Sequence, residues 1–188
     1  MRDAVIVSTA RTPIGRAYKG AFNATPGPTL GAFSLSAAIE RAKIEAGEID
    51  DVVWGAVLTQ GTQFGNIGRQ VALRAGCPVS VSGMTIDRQC SSGLMAIATA
   101  AKQIISDRMD VVAAGGQDSS EEISIGGGGG EAVREEGRDH SGHQKAQADE
   151  AKKHVGSDEH SEGGGAVLFL KPWPYVERRD DRGTRETG

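Results

Sequence analysis

The chain of 188 residues is long enough for one ordinary domain, and its 25 acidic and 21 basic side chains leave a net charge of −4. This balance lacks the basic surface that a nucleic-acid partner would favour. No apolar stretch approaches the ~20 residues of a membrane span, and the N-terminal apolar run is too short for a signal peptide. The two cysteines form neither a disulfide framework nor a zinc pattern. We therefore expect a cytoplasmic protein with no membrane or nucleic-acid partner.

The composition changes sharply near Ile125. Residues 1–125 contain 31 of the Ile, Leu, Val and Met side chains, whereas residues 126–188 contain six. The second segment also carries 23 of the 46 charged residues, all four histidines and the glycine run Gly126–Gly130. So few apolar groups offset little of the entropy lost when a chain becomes ordered. We therefore predict a folded domain over 1–125 and a charged, weakly structured tail over 126–188.

Short apolar runs and amphipathic segments alternate along the first domain. In chain order they predict a buried strand at 4–7, a helix at 33–46, a buried strand at 51–58, a helix capped by Asn66 that runs to Ala75, a strand at 82–87, a helix at 91–105 and a buried strand at 110–114. The apolar face of the third helix is predicted to be Leu94, Ile97, Ala98, Ala101, Ile104 and Ile105. In the tail, a small-residue run leads into a strand-like segment at 163–170, which Pro172 and Pro174 should end.

This alternation of strands and helices indicates an α/β fold with a parallel sheet. Ligands and chemistry in such sheets lie at the carboxyl ends of the strands. Cys90 is predicted to lie there, between the strand at 82–87 and the helix that follows it.

Cys90 is the candidate nucleophile. Free N–H groups and the positive end of the helix macrodipole favour a thiolate at a helix start, and the same N–H groups can hold an oxyanion. Ser91, Ser92 and Gly93 have small side chains that leave room for a substrate. This arrangement suits nucleophilic acyl transfer. From these residues alone, a buried cysteine acting as a small hydrophobic group, the usual fate of a free cysteine, is the alternative.

Four segments together resemble the N-terminal half of a thiolase. They are ARTPIG at 10–15, GTQFGNIGRQVALRAG at 61–76, DRQCSSGL at 87–94 and DVVAAGGQ at 110–117. The match is nearly continuous over residues 1–125, in the family's order and spacing. The related ketoacyl synthases lack the ARTPIG and GNIGRQ segments, so the thiolase family is preferred.

The resemblance implies a thiolase-like α/β fold limited to one half, a parallel-rich mixed sheet with helices on its faces. It implies an acyltransferase on CoA thioesters in which Cys90 accepts the acyl group and its backbone N–H serves as an oxyanion donor. Coenzyme A would be a substrate or product rather than a bound cofactor. The chain would form a homodimer or a higher homo-oligomer, with Asn66 and Arg69 in a segment at the subunit interface. The direction of the reaction and the acyl chain length stay open.

The other catalytic groups of the family are missing from this sequence. In thiolases the base is a histidine in a Gly-His-Pro motif, and the second acid/base is a cysteine in a Cys-x-Gly-Gly-Gly motif. Neither motif occurs in the 188 residues, and Cys77 lies in a predicted helix-ending turn where a structural role is expected. Two hypotheses follow: a thiolase-type acyltransferase that is incomplete as a lone chain, and an inactive truncated fragment that at most dimerises or binds CoA.

The tail carries two further similarities to the family. Residues 134–136 with 143–146 resemble a helix of the thiolase loop domain, and 162–170 resembles the strand that re-enters the core after that domain. The tail contains four histidines: His140, His143, His154 and His160. The spacing of His140 and His143 on a helix could chelate a metal, but no further ligand pattern fits and the segment is charge-rich, so no metal site is predicted.

Overall fold

The computed structural model describes residues 2–15, 22, 25–118 and 166–173. Within these residues the chain forms one five-stranded sheet in the order β1-β5-β4-β2-β3. The strands are β1 (Asp3–Arg11), β2 (Asp51–Gly55), β3 (Ser82–Ile86), β4 (Val112–Gly116) and β5 (Ala166–Trp173). Strand β2 pairs in parallel with β3 and β4, whereas β5 lies antiparallel between β4 and β1. The predicted parallel-rich mixed sheet is confirmed.

Helices cover both faces of this sheet. They are α1 (Gly27–Ala42) and α2 (Ile67–Arg74) on one face and α3 (Ser92–Ile105) on the other, with short 3-10 turns at Ala46–Glu48 and Gly61–Gln63. Along β2, Val52 and Trp54 pack in the core with α1 and α2, whereas Val53 packs in the core with α3. Because successive side chains of a strand point to opposite faces, a strand covered on both faces is apolar throughout. None of these helices is long and apolar enough to cross a bilayer.

Helix α1 begins six residues before the predicted start at 33 and ends four residues before the predicted end at 46. Pro28 is tolerated in the first turn, where its missing N–H would have no helical partner. Gly31 lies inside the helix, where glycine is ordinarily unfavourable. A larger residue is excluded at this position because its Cβ would collide with the side chain of Gln117. The helix stops where Lys43 adopts a left-handed conformation with a φ of 53°.

Helix α2 matches its prediction closely. The Asn66 side chain caps it by accepting a hydrogen bond from the Arg69 N–H at 3.1 Å, and its Nδ2 donates to the Gly83 carbonyl at 2.7 Å. The Arg69 guanidinium donates to the carbonyls of Val79 and Val81 in the segment before β3. Both residues therefore connect α2 to the strand that follows it.

The predicted burial of the first strand is wrong. Strand β1 is an edge strand whose Ile6 side chain is 56 % exposed, with Val7 exposed beside it. A continuous apolar run does not distinguish a central strand from an edge strand. The distinction depends here on β5, which arrives from far along the sequence and separates β1 from β4.

The predicted apolar face of α3 is also wrong in part. The side of α3 against the sheet carries mostly small residues, Ser92, Ala96 and Ala100, with Ile104 at the end of the same face. Leu94 lies on another side of the helix and is 71 % exposed. The helix is apolar around most of its circumference, so periodicity could not select the buried face.

The strand expected at 163–170 is present as β5, and it continues through Pro172 to Trp173. Pairing with β4 ends at Leu170, so the missing N–H of Pro172 removes no bond to that neighbour. The other features predicted for the tail, including the glycine run, the four histidines and the possible loop-domain helix, lie outside the described residues.

Asn66→Ala should destabilise the folded chain by about 1 kcal/mol, since the variant loses the helix cap. The loss of the bond to Gly83 should add to this effect. Urea denaturation with and without the substitution measures the change. Asn66→Asp is the matched control, because it keeps the capping oxygen and should lose less stability than Asn66→Ala; equal losses in the two variants would contradict the capping role.

Candidate active site

Cys90 lies where prediction placed it, after β3 and immediately before α3, and it is exposed. It lines a cavity of about 430 Å³ at the carboxyl ends of β1, β2 and β4. The lining also includes Arg11 from β1, Gly55 from β2 and the segment 114–118 around the end of β4. The exposure of Cys90 rules out the alternative of a buried cysteine acting as a small hydrophobic group.

The turn before Cys90 is held in an uncommon conformation. Gln89 has a φ of 49°, in the left-handed region that few residues other than glycine adopt. The Asp87 carboxylate accepts a hydrogen bond from the Gln89 N–H at 2.9 Å. The buried Ser92 hydroxyl accepts from the Arg88 N–H at 2.8 Å and donates to the Gln89 carbonyl at 2.7 Å. These bonds fix the turn that carries Cys90 to the cavity.

Glycines bring the first turn of α3 against the sheet. A Cβ on Gly55 would lie 2.5 Å from the carbonyl carbon of Ser92 and 2.6 Å from the nitrogen of Gly93. A Cβ on Gly116 would lie 3.4 Å from the Gly93 Cα. The backbone of the helix start therefore packs directly on the backbone of β2 and β4, an approach that a larger residue at Gly55 would prevent.

The start of α3 presents backbone donors to the cavity. The Ser91 and Ser92 N–H groups already donate to the carbonyls of Arg88 and Gln89 at 3.1 and 2.9 Å. Gly93 follows them in the first helical turn and lines the cavity. With the Ser91 and Ser92 N–H groups engaged, the Gly93 N–H is the first-turn donor that we expect to face an anion. The oxyanion role predicted for the Cys90 N–H stays a prediction.

Asp118 is a cavity residue that the sequence interpretation missed. It follows β4, and its Oδ1 accepts a hydrogen bond from the Val57 N–H at 3.0 Å. Much of the surface of Asp118 is exposed to solvent. Its carboxyl group is nevertheless partly buried, and this burial raises the pKa of Asp118 above its ordinary value. The Val57 bond acts against this rise in pKa, and repulsion from the Asp87 carboxylate adds to it. Its position directly after a buried strand was the signal in the sequence.

Two buried glutamines support the cavity wall from the other side. The Gln117 N–H donates to the Gly55 carbonyl at 3.0 Å, and its Nε2 donates to the Gly27 carbonyl at 2.6 Å and to Gln63 Oε1 at 3.1 Å. Gln63 Nε2 donates in turn to the Leu58 carbonyl at 3.0 Å. The end of β4, the loop after β2 and the start of α1 are thus joined through one amide pair.

The other candidates from the sequence take structural positions. Cys77 is buried, and burial raises the pKa of its thiol while the Arg69 guanidinium opposes that rise. Its predicted structural role agrees with this environment. Across 2–15, 25–118 and 166–173, no group of His, Cys, Asp and Glu side chains is arranged to hold a metal ion.

Iodoacetamide should label Cys90 and spare Cys77 in the native chain. Cys90 is exposed, whereas Cys77 is buried with a raised pKa and stays protonated at a pH that ionises ordinary thiols. We expect the rates at about pH 8 to differ by at least roughly tenfold, and Cys77 to react once guanidinium unfolds the chain. Peptide mass spectrometry measures both rates, and similar native rates would contradict the assignment.

Comparison with known proteins gives a consistent result. Residues 4–153 match the protein family described as "Thiolase, N-terminal domain". The chain is 43 % identical over 106 residues to the acetyl-CoA acetyltransferase of Cupriavidus necator and 41 % identical over 105 residues to the 3-ketoacyl-CoA thiolase of Bacillus subtilis. These matches cover 56 % of this chain but only 26 % and 27 % of the two proteins. The chain therefore spans about a quarter of the length of the curated relatives it matches.

Solved structures agree with these matches. The acetyl-CoA acetyltransferase of Bacillus anthracis superposes with a TM-score of 0.58 at 41 % identity, over 62 % of this chain and 29 % of that one. The Acat5 thiolase of Ascaris suum, solved in complex with coenzyme A, superposes with a TM-score of 0.62 at 29 % identity, over 69 % of this chain and 33 % of that one.

Proposed function

The chain belongs to the thiolase family, and on that premise we propose that it takes part in acyl transfer on CoA thioesters, with Cys90 as the group that accepts the acyl chain. The thiolase-like α/β fold expected from the sequence is shown by the solved relatives. The observation that carries the proposal is an exposed cysteine at a helix start, in a cavity at the carboxyl ends of three strands.

The chemistry proposed for Cys90 is thioester exchange. Its sulfur attacks the carbonyl carbon of an acyl-CoA, the carbonyl oxygen gains negative charge, and the CoA thiol leaves. The backbone N–H groups of Cys90 and Gly93 are the donors proposed to hold that charge, because the turn and the helix start fix them before the substrate arrives. The acyl group then passes to free CoA in degradation or to a second acetyl-CoA in synthesis.

Coenzyme A is proposed as substrate and product, with no cofactor permanently bound. The Ascaris suum relative was solved with coenzyme A, which supports CoA as the ligand class. We propose fatty acid metabolism as the setting of this chemistry, and the names of the curated relatives, an acetyl-CoA acetyltransferase and a 3-ketoacyl-CoA thiolase, support that proposal. Two free cysteines suit a reducing compartment, so we also propose the cytoplasm as the location.

The second candidate is a thiolase domain without turnover of its own. It is the alternative that the sequence analysis left open, since these 188 residues contain neither Gly-His-Pro nor Cys-x-Gly-Gly-Gly. The two candidates differ at the first half-reaction, the transfer of an acyl group to Cys90.

Incubation with acetyl-CoA should leave a thioester on Cys90. Intact-mass spectrometry should show one acetyl group, which neutral hydroxylamine removes because it cleaves thioesters. The adduct should be absent from Cys90→Ala and unchanged in Cys77→Ala, the matched control for the other thiol. A folded wild-type chain that forms no adduct would favour the candidate without turnover.

We further propose that the chain forms a homodimer or larger homo-oligomer through the surface beside β3. Phe64 and Val79, which flank α2, are 74 % and 82 % exposed, and β3 is an edge strand of the sheet. Exposed apolar side chains next to an unpaired strand edge favour association.

Sedimentation velocity should therefore show a dimer or larger species. Val79→Asp should shift it toward monomer, because it places a charge in the proposed interface. Ile6→Asp is the control, since Ile6 is an exposed apolar residue on β1, at the opposite edge of the sheet. A wild-type chain that sediments as a stable monomer would refute this proposal.

A further inference from the structure

Gly93 is a glycine that the packing of the described residues does not explain. It lies in the first turn of α3 with a φ outside the left-handed region, so other residues could adopt its backbone conformation. A Cβ on Gly93 would meet no described atom within 4 Å beyond its chain neighbours and its own helix backbone, whereas a Cβ on Gly55 would collide with the helix start. Glycine is also less favourable than alanine in a helix. The missing side chain therefore leaves space in the Cys90 cavity, which Gly93 lines.

The space beside Gly93 has apolar walls. Leu94 and Ile97 of α3 and Ala114 of β4 line the same cavity. Ile97 follows Gly93 by one turn, and a helical side chain leans back over the turn that precedes it, so Ile97 borders this space. Ile97 packs against the core between α3 and the sheet, whereas Leu94 is 71 % exposed. One apolar wall is thus held by the core, and the other lies at the rim.

An acyl chain is the occupant that these walls favour. The side chains of Leu94, Ile97 and Ala114 offer no hydrogen bonds, so the amide groups of the CoA arm would lose their bonds to water there without replacement. The methylene groups of an acyl chain make no such bonds and gain free energy when they leave water. The charged lining residues come from other elements, Arg11 from β1 and Asp118 from the segment after β4.

We propose that the acyl group accepted by Cys90 is a linear chain longer than acetyl, with its methylene groups in the space beside Gly93 and against Leu94 and Ile97. This inference rests on the proposed acyl transfer. The bond from Sγ to the acyl carbon forms as the bond from that carbon to the CoA sulfur breaks, and the thiol proton ends on the released CoA. Gly93 and Ile97 lie about 6 Å apart along the helix axis, which is farther than an acetyl group reaches. Gly93 and Leu94 would therefore determine which chain lengths are accepted.

Acylation of Cys90 by hexanoyl-CoA and by acetyl-CoA tests the proposal. Each methylene group that leaves water should favour the longer chain by about fourfold. At equal concentrations of the two thioesters, the hexanoyl rate should therefore exceed the acetyl rate by at least about tenfold, as measured by intact-mass spectrometry. A smaller ratio of the two rates would overturn the inference.

Two variants change the walls in different ways. Gly93→Leu fills the space without a collision against the described residues, and it should lower the ratio of hexanoyl to acetyl rates by at least about tenfold. Leu94→Ala removes an apolar contact at an exposed position, where truncation should leave the fold intact, and it should lower the ratio by at least about threefold. The ratio is the readout because a general loss of folding or of Cys90 reactivity lowers both rates together.

Matched controls lie outside the cavity. Gly47→Leu enlarges an exposed glycine of the 3-10 turn, and Ile105→Ala truncates an apolar residue at the far end of α3; both should keep the wild-type ratio. An unchanged ratio in Gly93→Leu or in Leu94→Ala would overturn the inference. A wild-type chain that iodoacetamide alkylates at Cys90 but that neither thioester acylates would instead overturn the proposed function.

Discussion

The contact between the first turn of α3 and the carboxyl ends of β2 and β4 is the constraint on which the candidate site depends. Gly55 carries no side chain that would hold the helix away, so its backbone meets the backbone of Ser92 and Gly93 directly. If the helix lay farther from the sheet, the turn that contains Gln89 could no longer place Cys90 in the same cavity as the end of β4. A glycine costs conformational entropy on folding, so this approach is stable only because the flanking strands are buried on both faces.

A second constraint acts on the same strand ends from the opposite face. Gln117 extends the pairing of β4 with β2 by one bond and then reaches across to Gly27 and Gln63. A buried amide stabilises the fold only when its polar atoms are hydrogen-bonded. Most of the side-chain amide atoms of Gln63 and Gln117 are hydrogen-bonded. The residue that follows Gln117 is Asp118, so a network on the α1 side of the sheet sets the position of a carboxylate on the α3 side. The wall of the cavity is therefore held by hydrogen bonds that lie outside the cavity.

The sequence predicted the elements well and their environments less well. Strands β2, β3 and β4, the capped helix α2 and the position of Cys90 all follow from local signals: apolar runs, an Asn cap and a helix start. The burial of β1 could not be predicted, because it depends on β5, whose place between β1 and β4 is a long-range property of the sheet. Asp118 was missed for a related reason. Its place in the cavity comes from the convergence of strand ends, which cannot be seen when each segment of the sequence is considered separately.

Helix α3 shows why side-chain size, as well as hydrophobicity, decides which face is buried. The hydrophobic effect alone would bury the face that carries the larger apolar residues, such as Leu94. The face on the sheet is instead built from Ser92, Ala96 and Ala100, because only small residues allow the helix axis to come close enough for the contact at Gly55. The position of Cys90 therefore imposes small residues on one side of the helix. The other side is left with apolar surface that the described part of the chain does not cover, and Leu94 carries that surface to the rim of the Cys90 cavity.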